Sequence, residues 1–436
     1  MTHPNGSDVI VVGGGLGGLA AATYVARSGR TVTLFEKARA LGGRAMTQAN
    51  DDFLFNLGPH ALYRAGAGIA ALKELGVQFS GRPPSVSGAY GVAGGRKHAL
   101  PGGFVSLLTT SLLRLSGKLE AARLLASLQQ LDTASLERVT VREWLQDKIR
   151  QPDVRALIQA LLRVATYTHD PERQSAGAAV AQMQLALRTG VLYLDGGWQT
   201  LVDGLLAAAR AAGVQIVSSA RVDAIEADPE VRGVRLADGV LHPAAAVVIA
   251  AGPAEAAALV ASERHRTLRE WAAAAIPVKA ACLDVALAHL PRPRATFALG
   301  IDRPLYLSVH SAAARLAPAG GATIHAAKYL GGDEGDVKTT ERELEALLDL
   351  IQPGWRAAVV ARRFLPNMIV SHGLVTAAAG GVAGRPGPAV ADVPNLYVVG
   401  DWVGPEGQLA DASLASAKQA ARMIAASVIG RPAAAA

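Results

Sequence analysis

The sequence predicts an α/β fold in which a Rossmann-like domain is interleaved with a second, α+β domain. A strand-helix-strand pattern with a glycine-rich turn opens the chain over residues 8–36. With 436 residues, the chain exceeds the roughly 250 to 300 residues at which one hydrophobic core usually stops growing, so we expect two domains. Half of the residues are hydrophobic and few are aromatic, a composition typical of α/β enzymes rather than of disordered chains.

Charge, histidine spacing and cysteine content argue against several classes of protein. The formal net charge is +7, but the basic residues are scattered and no aromatic residues alternate with them, so we expect no nucleic-acid partner. The histidines lack metal-ligand spacing, and no metal site is predicted. Cys282 is the single cysteine, which excludes a disulfide within the chain. No stretch has the pattern of a signal peptide or a membrane-spanning helix, so the expected location is the cytoplasm.

The first strand, turn and helix carry a dinucleotide-binding pattern. The run "DVIVV" is rich in β-branched residues and predicts a buried parallel strand. Gly13, Gly15 and Gly18 follow it with the spacing G-x-G-x-x-G, and "LAAATYVARSG" predicts a helix that ends at Gly29. A second strand, "TVTLFE", ends in Glu36, about 20 residues beyond the glycines, as this pattern requires.

Each part of this β-α-β unit has a chemical role in binding a dinucleotide. Gly13 permits the sharp turn, Gly15 lets the backbone approach a pyrophosphate, and Gly18 lets the helix pack against the strand. The helix N-terminus offers free N–H groups and partial positive charge to the phosphates. Glu36 can accept hydrogen bonds from both hydroxyls of an adenosine ribose. The glycines alone are compatible with a simple tight turn, but the complete unit predicts bound NAD or FAD.

The segment that follows Glu36 distinguishes FAD from NAD. It reads "EKARALGGRA", and a plain NAD domain has no need of this second glycine pair with its arginine. The sequence resembles the FAD-dependent superfamily of phytoene-type carotenoid desaturases, protoporphyrinogen oxidases and monoamine oxidases, and it is closest to the phytoene-desaturase branch. The resemblance implies a Rossmann-like FAD-binding domain of the GR2 type. It also implies that Gly42, Gly43 and Arg44 lie along the pyrophosphate and the flavin, with the arginine as a donor.

Later segments extend the resemblance over nearly half of the chain. "FNLGPHALY" occupies the family's position beside the isoalloxazine. "YLDGGWQTLVDGLLAAARAAGVQIVSSARVDAIEAD" resembles the family's G-G-x-x-x-L-x-x-x-L helix and the strand after it, and "NLYVVGDWVGPEGQLADAS" resembles the family's closing motif. The resemblance implies that Asp401 binds a ribityl hydroxyl or lies near the pyrophosphate, and that backbone amides at the start of the last helix face the flavin pyrimidine. The further FAD-binding residues implied are Gly58, Pro59, His60, Val222, Gly252, Gly400, Asp401, Leu409 and Ala410.

A second glycine pattern lies at Gly66-x-Gly68-x-x-Ala71. No strand precedes it, so we interpret it as a helix that starts near Gly68 and ends at Gly76 rather than as an NAD site. Without an NAD site, the expected electron acceptor is oxygen, a quinone or another diffusible molecule.

The two domains are predicted to alternate along the chain. The FAD-binding domain is predicted at 1–85, 190–253 and 385–436, and the substrate-binding domain at 86–189 and 254–384. We expect the first insert, 86–189, to be mostly helical, with a capping box formed by Thr140 and Glu143. We expect the second insert, 254–384, to combine a sheet with helices. Its segments "ACLDVALAHL" and "RPLYLSVHS" predict strands, and "TTERELEALLDLIQPGW" predicts a helix with one leucine-rich face. The apolar stretch 104–115 has two interpretations, a helix packed in the substrate domain or a peripheral contact with the inner face of a membrane.

The sequence contains no nucleophile motif, and flavin oxidation needs none, because a flavin accepts a hydride from a C–H bond held close to it. His60 and Tyr63 are the candidate catalytic side chains near the reacting carbon, with His60 assisting a proton transfer. A structural role is the alternative for each.

The leading hypothesis is an FAD-dependent oxidoreductase that desaturates or dehydrogenates a largely apolar, isoprenoid- or polyene-like molecule by hydride transfer to flavin N5. One alternative is an amine oxidase or protoporphyrinogen-type oxidase, in which Lys328 would be the lysine near the flavin. A non-catalytic flavin-binding module is the other.

Overall fold

The computed structural model describes residues 6–85, 87–260, 265–332 and 335–427. Within these residues the chain forms nineteen strands and twelve α-helices. The strands are β1 (Ser7–Val12), β2 (Val32–Phe35), β3 (Thr47–Asn50), β4 (Phe53–Asn56), β5 (Leu62–Tyr63), β6 (Gly81–Arg82), β7 (Ala89–Ala93), β8 (Arg96–Ala99), β9 (Val191–Leu194), β10 (Gln215–Val217), β11 (Val222–Ala227), β12 (Val231–Leu236), β13 (Leu241–Ile249), β14 (Val278–Leu287), β15 (Phe297–Gly300), β16 (Leu305–Val309), β17 (Ala322–Leu330), β18 (Val359–Ser371) and β19 (Leu396–Val398). The helices are α1 (Leu16–Arg27), α2 (Ala67–Leu75), α3 (Phe104–Thr109), α4 (Leu115–Ser127), α5 (Val141–Lys148), α6 (Pro152–Thr166), α7 (Ala176–Thr189), α8 (Gln199–Ala211), α9 (Pro253–Ala258), α10 (Thr267–Ala274), α11 (Val337–Ile351) and α12 (Leu409–Ala426).

The first sheet contains the predicted β-α-β unit. Its parallel strands lie in the order β10, β2, β1, β13 and β19, and antiparallel β12 and β11 extend the sheet from β13. Val9, Ile10 and Val11 of β1 are buried, as expected for a parallel strand that is covered on both faces. The α/β class is confirmed, and so are the first strand, the helix ending before Gly29 and the second strand.

Alanine-rich helices cover one face of this sheet. The helices α1, α2, α8 and α12 share one hydrophobic core with it. Ala20, Ala21 and Ala22 of α1 are buried, and so are Ala417 and Ala420 of α12. Such small side chains allow helices to pack closely. This packing holds the N-termini of α1 and α12 at the same cavity, described below.

The second sheet has the strand order β18, β14, β17, β16, β15, β7 and β8, and only the β15–β7 pair is parallel. The predicted strands around Cys282 and Tyr306 are confirmed as β14 and β16. The predicted amphipathic helix is α11, whose Leu344 and Leu348 are buried against one face of the sheet. From the opposite face, Ala280 and Cys282 reach the cavity.

The first insert is mostly helical, as predicted, and contains α3 to α7. Thr140 and Glu143 form the predicted capping box of α5, because the Glu143 N–H donates to Thr140 Oγ1 and the Thr140 N–H donates to Glu143 Oε2. The strands β7 and β8 are an addition that the sequence did not indicate, and they join the second sheet. The boundaries of the two domains stay a prediction.

Candidate functional site

A cavity of about 970 Å³ is lined by residues of both sheets. One end lies at the carboxyl ends of β1, β2 and β13, where open α/β sheets bind their ligands. The other end reaches β14 and β18. Its volume is at the upper end of the roughly 300 to 1,000 Å³ that is usual for ligand pockets. Of the predicted site residues, those that line the cavity are Gly13, Gly15, Gly18, Glu36, Gly42, Gly43, Arg44, Pro59, His60, Tyr63, Val222, Gly252, Gly400, Asp401, Leu409 and Ala410.

The glycine-rich turn leaves one end of the cavity open to a phosphate group. A Cβ atom at Gly18 would lie 1.9 Å from the carbonyl oxygen of Gly13, so only glycine fits there. A Cβ at Gly15 would meet only the Gly42 carbonyl oxygen, at 3.9 Å, and would instead occupy cavity space. The helix α1 starts immediately after this turn, without a side-chain cap and without an acidic residue in its first turn. Its positive N-terminus therefore remains available to an anionic pyrophosphate.

The Glu36 carboxylate is held at the end of β2 by backbone amides. Its Oε2 accepts a hydrogen bond from the Gly14 N–H at 2.7 Å, and its Oε1 accepts one from the Ala38 N–H at 2.8 Å. Each carboxylate oxygen can accept a second hydrogen bond. The side chain is thus fixed in the place where it can bind the hydroxyls of an adenosine ribose.

The cavity brings together two predicted residues that are 357 positions apart. Arg44 Nη1 donates to Asp401 Oδ2 at 2.7 Å and to the Val370 carbonyl oxygen at 2.8 Å. Asp401 is buried, and its other oxygen lies 3.4 Å from His372 Nδ1. Burial acts to raise the pKa of Asp401, but the charge of Arg44 and the hydrogen bond to His372 hold it below its usual range. Arg44 therefore orients Asp401 while its own side chain remains 39% exposed.

His60 lies at the cavity wall between two backbone carbonyl groups. Its Nδ1 is 3.1 Å from the Gly58 oxygen, and its Nε2 is 3.1 Å from the Arg44 oxygen. Burial lowers the pKa of His60 to about 4, against the opposing effect of the carbonyl contacts. The imidazole is therefore neutral at pH 7 and can donate to only one of the two oxygens. Trp198 packs edge to face on the ring, with 4.9 Å between centroids.

Two predicted residues are placed differently from expectation. Gly58 is not among the residues that line the cavity, because it lies behind the wall: a Cβ there would be 2.7 Å from Met368 and 2.8 Å from Cys282 Sγ. Tyr63 lines the cavity, but its hydroxyl donates to the Ala165 carbonyl oxygen at 2.6 Å. Burial raises the pKa of Tyr63 to about 12, so this proton is retained for that bond at neutral pH. The geometry favours the structural alternative for Tyr63.

The second glycine pattern is a binding site for a carboxylate of the chain itself. It forms the start of α2, as interpreted from the sequence, and the Gly68 N–H donates to Asp411 Oδ1 at 3.0 Å. Cβ atoms at Gly66 and Gly68 would lie 2.3 and 2.2 Å from the two Asp411 oxygens. Burial nevertheless raises the pKa of Asp411 to about 6. The glycines therefore allow the first turn of α12 to dock on the first turn of α2.

Sequence reasoning missed several side chains at the cavity. Among the lining residues are Tyr167, Trp198, Met368, His372 and Asp411. Only Trp198 and Asp411 lie inside segments already matched to a family motif, so only these two had a local signal. The others come from the ends of α6 and β18, and their position depends on how the second sheet docks.

A comparison with protein-family models identifies a family for this chain. Residues 16–287 match the model described as flavin containing amine oxidoreductase. This segment contains Gly18 of the glycine turn, Glu36, the Gly42-Gly43-Arg44 segment and β14.

Known proteins and solved structures give further similarities. A carotenoid 3,4-desaturase from Haloarcula japonica is 52% identical over 59 residues, which are 14% of this chain and 12% of that protein. The chain thus matches about one eighth of that relative's length. An oxidoreductase from Methanosarcina mazei is structurally similar with a TM-score of 0.73 and 20% identity, over 94% of this chain and 98% of that one. Cyclohexylamine oxidase from Brevibacterium oxydans has a TM-score of 0.70 and 18% identity, over 96% and 99% of the two chains. At this identity the two structures show a shared fold.

Proposed function

The chain belongs to the family of flavin-containing amine oxidoreductases, and from this premise we propose that it is an FAD-dependent oxidoreductase that desaturates or dehydrogenates a largely apolar small molecule. The observation that carries this proposal is the composition of the single cavity just described. It runs from the glycine-rich turn before α1 to an apolar wall formed by Ala280, Cys282, Met368, Ile369 and Val370.

The residues at the dinucleotide end suit FAD. The uncapped start of α1 would hold the pyrophosphate, Glu36 the adenosine ribose, and Asp401 the ribityl chain. The start of α12 would face the flavin ring. Bound FAD supplies the group that accepts a hydride from a substrate C–H bond.

The protein's own residues orient the substrate and keep water away. Both ring nitrogens of neutral His60 lie 3.1 Å from backbone carbonyl oxygens, those of Gly58 and Arg44, so we assign His60 a structural role at the cavity wall. The apolar side chains at the inner wall exclude water from the reacting bond. Oxygen or a quinone is the proposed final electron acceptor.

Lys328, the candidate lysine of the amine-oxidase alternative, lies away from the described cavity. Lys328 Nζ lies 2.7 Å from Glu343 Oε2, on the side of the second sheet that α11 covers, and Lys328 does not line the described cavity. It is therefore not placed to act on a molecule bound there.

Anaerobic titration of the purified, FAD-loaded protein tests the proposal. We expect an isoprenoid or polyene to bleach the flavin absorbance and to gain a longer-wavelength polyene band, whereas amines and porphyrinogens leave the flavin oxidised. Bleaching by an amine with formation of an imine would favour the amine-oxidase alternative. A yellow protein that no candidate bleaches would favour a non-catalytic flavin-binding module.

We further propose a peripheral membrane contact through an apolar patch on α3 and α4. Four large apolar side chains of these helices are more than half exposed, next to Lys118: Val105, Leu108, Leu115 and Leu119. Clusters of exposed apolar residues mark interaction surfaces, and basic residues beside them favour anionic lipid. Among the described residues, no helix has the length and apolar character needed to cross a bilayer.

Vesicle flotation tests the membrane contact. The wild-type protein is expected to float with phosphatidylglycerol vesicles, and the double variant Val105→Ser, Leu115→Ser to lose most of this binding. Leu187→Ser is the matched control, because Leu187 is 53% exposed but lies on α7, outside the patch. Equal flotation of the wild type and the double variant would refute the assignment.

A further inference from the structure

Tyr167 occupies an unusual backbone position at the inner end of the cavity. It follows the last residue of α6 with φ +56°, in the left-handed region, and it is one of the residues that line the cavity. This conformation is unfavourable for a tyrosine, and strained residues of this kind cluster at active sites and ligand-binding sites. Among the described non-glycine residues with positive φ, the two that line the cavity are Tyr167 and Leu409.

The surrounding residues fix the direction of Tyr167. The Tyr63 hydroxyl donates to the carbonyl of Ala165, two residues earlier, which belongs to the last turn of α6. Carbonyls of a last turn have no partner within their own helix, so this bond fixes the helix end. The ring of Tyr329 packs edge to face on the ring of Tyr167, with 6.2 Å between centroids. Tyr63 is therefore a positioning residue for Tyr167.

The Tyr167 hydroxyl is a donor without a partner in the described part of the chain. Burial raises its pKa well above the usual value, so the group stays protonated at neutral pH. Supplying an acceptor to a hydroxyl that is removed from bulk water lowers the free energy of the complex, because the hydroxyl then forms a hydrogen bond. Besides Tyr329 and Tyr63, the titratable groups that act on it are Tyr193 and Cys282, all neutral at pH 7. None of these four neighbours carries a negative charge that would pair with an ammonium group.

We propose that Tyr167 is a specificity residue that donates a hydrogen bond to an oxygen atom of the substrate. The substrate is then a neutral, largely apolar molecule that carries a carbonyl or hydroxyl oxygen close to the bond that is oxidised. This inference rests on the proposed function, since it places the substrate in the same cavity, beside the wall that contains Cys282 and Met368.

A comparison of two single variants with two ligands tests this assignment. The probes are geranylacetone, an isoprenoid ketone, and the hydrocarbon of the same skeleton that lacks the carbonyl oxygen. Binding to the FAD-loaded protein is followed by the change in flavin absorbance, without turnover. We expect Tyr167→Phe to lower the affinity for the ketone by about fivefold to tenfold relative to the affinity for the hydrocarbon. This is the effect of losing one neutral hydrogen bond. Tyr329→Phe is the matched control, because the Tyr329 hydroxyl is buried and Tyr329 does not line the cavity; it should leave the ratio unchanged.

Three results would overturn the assignment of Tyr167 while leaving the proposed function intact. These are a ratio that Tyr167→Phe does not change, a wild-type protein whose flavin responds to neither probe, and a variant that loses FAD affinity before any probe is added. The last result would mean that the hydroxyl serves the cofactor. A wild-type protein that takes up no FAD would instead overturn the proposed function, and this inference with it.

Discussion

Replacing Gly18 by alanine is expected to lower the free energy of unfolding by about 3 kcal/mol and to abolish FAD retention. The added Cβ would lie 1.9 Å from the Gly13 carbonyl oxygen and 3.0 Å from the Ala250 Cβ. Neither neighbour is the movable end of a long side chain, so α1 must shift away from β1. Urea unfolding of the apoprotein and FAD titration by fluorescence quenching measure the two effects.

Gly15→Ala is the matched control for this experiment. The backbone of Gly15 has an ordinary negative φ, and a Cβ there would meet no atom closer than 3.9 Å. The apoprotein should therefore unfold at nearly the same urea concentration as the wild type, while FAD binding weakens roughly tenfold or more, because the Cβ occupies the place of the pyrophosphate. If Gly15→Ala bound FAD normally, the dinucleotide would not lie on this turn.

Asp401→Asn is expected to release FAD and to destabilise the protein by about 1–3 kcal/mol at pH 7. The substitution removes the negative partner of Arg44 and of His372. Because Arg44 is 39% exposed, water partly replaces the lost partner, and we expect less than the full cost of breaking a buried ion pair. Glu36→Ala should weaken FAD retention from the opposite end of the cavity. If FAD retention were unchanged in both variants, FAD would not bind between Glu36 and Asp401.

The stability difference between wild type and Asp401→Asn should depend on pH in a defined direction. The native pKa of Asp401 lies below its usual range, so the ionised carboxylate contributes stability above the unfolded-state pKa of about 3.9. This contribution is lost as the pH falls through the native pKa. The difference measured by urea unfolding should therefore be largest at neutral pH and smaller at about pH 3.

Asp147→Asn provides the comparison for the pH experiment, since its side chain is 71% exposed on α5, away from the cavity. It should change stability little at either pH. A difference for Asp401→Asn that grew toward low pH would contradict a lowered pKa, and with it the role of Arg44 in holding Asp401 ionised.

Much of the first sheet could be predicted because its signals are local. The β-branched run before Gly13 predicts a buried strand, and the three spaced glycines predict a tight turn between this strand and the next helix. The helix after the turn and the strand that ends in Glu36 are predicted from the composition and the spacing of apolar residues within each short segment. The same holds for α11, whose leucines repeat at helical spacing, and for the capping box of α5.

The second sheet could be predicted only in part. Its strands β14 and β16 have clear apolar patterns, whereas β7 and β8 lie in the helical insert and become part of the sheet only by pairing with β15. The pairing of β7 with β15 joins residues about 200 positions apart, which no local pattern encodes. For this reason the sequence did not show which surface would form the inner wall of the cavity.

The sequence by itself determined the family, the dinucleotide-binding turn and most residues at that end of the cavity, because each depends on the conformation of a short segment. Tertiary structure alone decided the partners. It brought Arg44 into hydrogen-bonding distance of Asp401, and it placed Gly58 behind the cavity wall. It also directed the Tyr63 hydroxyl to the Ala165 carbonyl oxygen, and the Asp411 carboxylate to the N–H of Gly68 in the second glycine pattern. The inner wall with Tyr167 also arises from the docking of distant elements. The substrate preference therefore depends on contacts between segments that carry no signal in isolation.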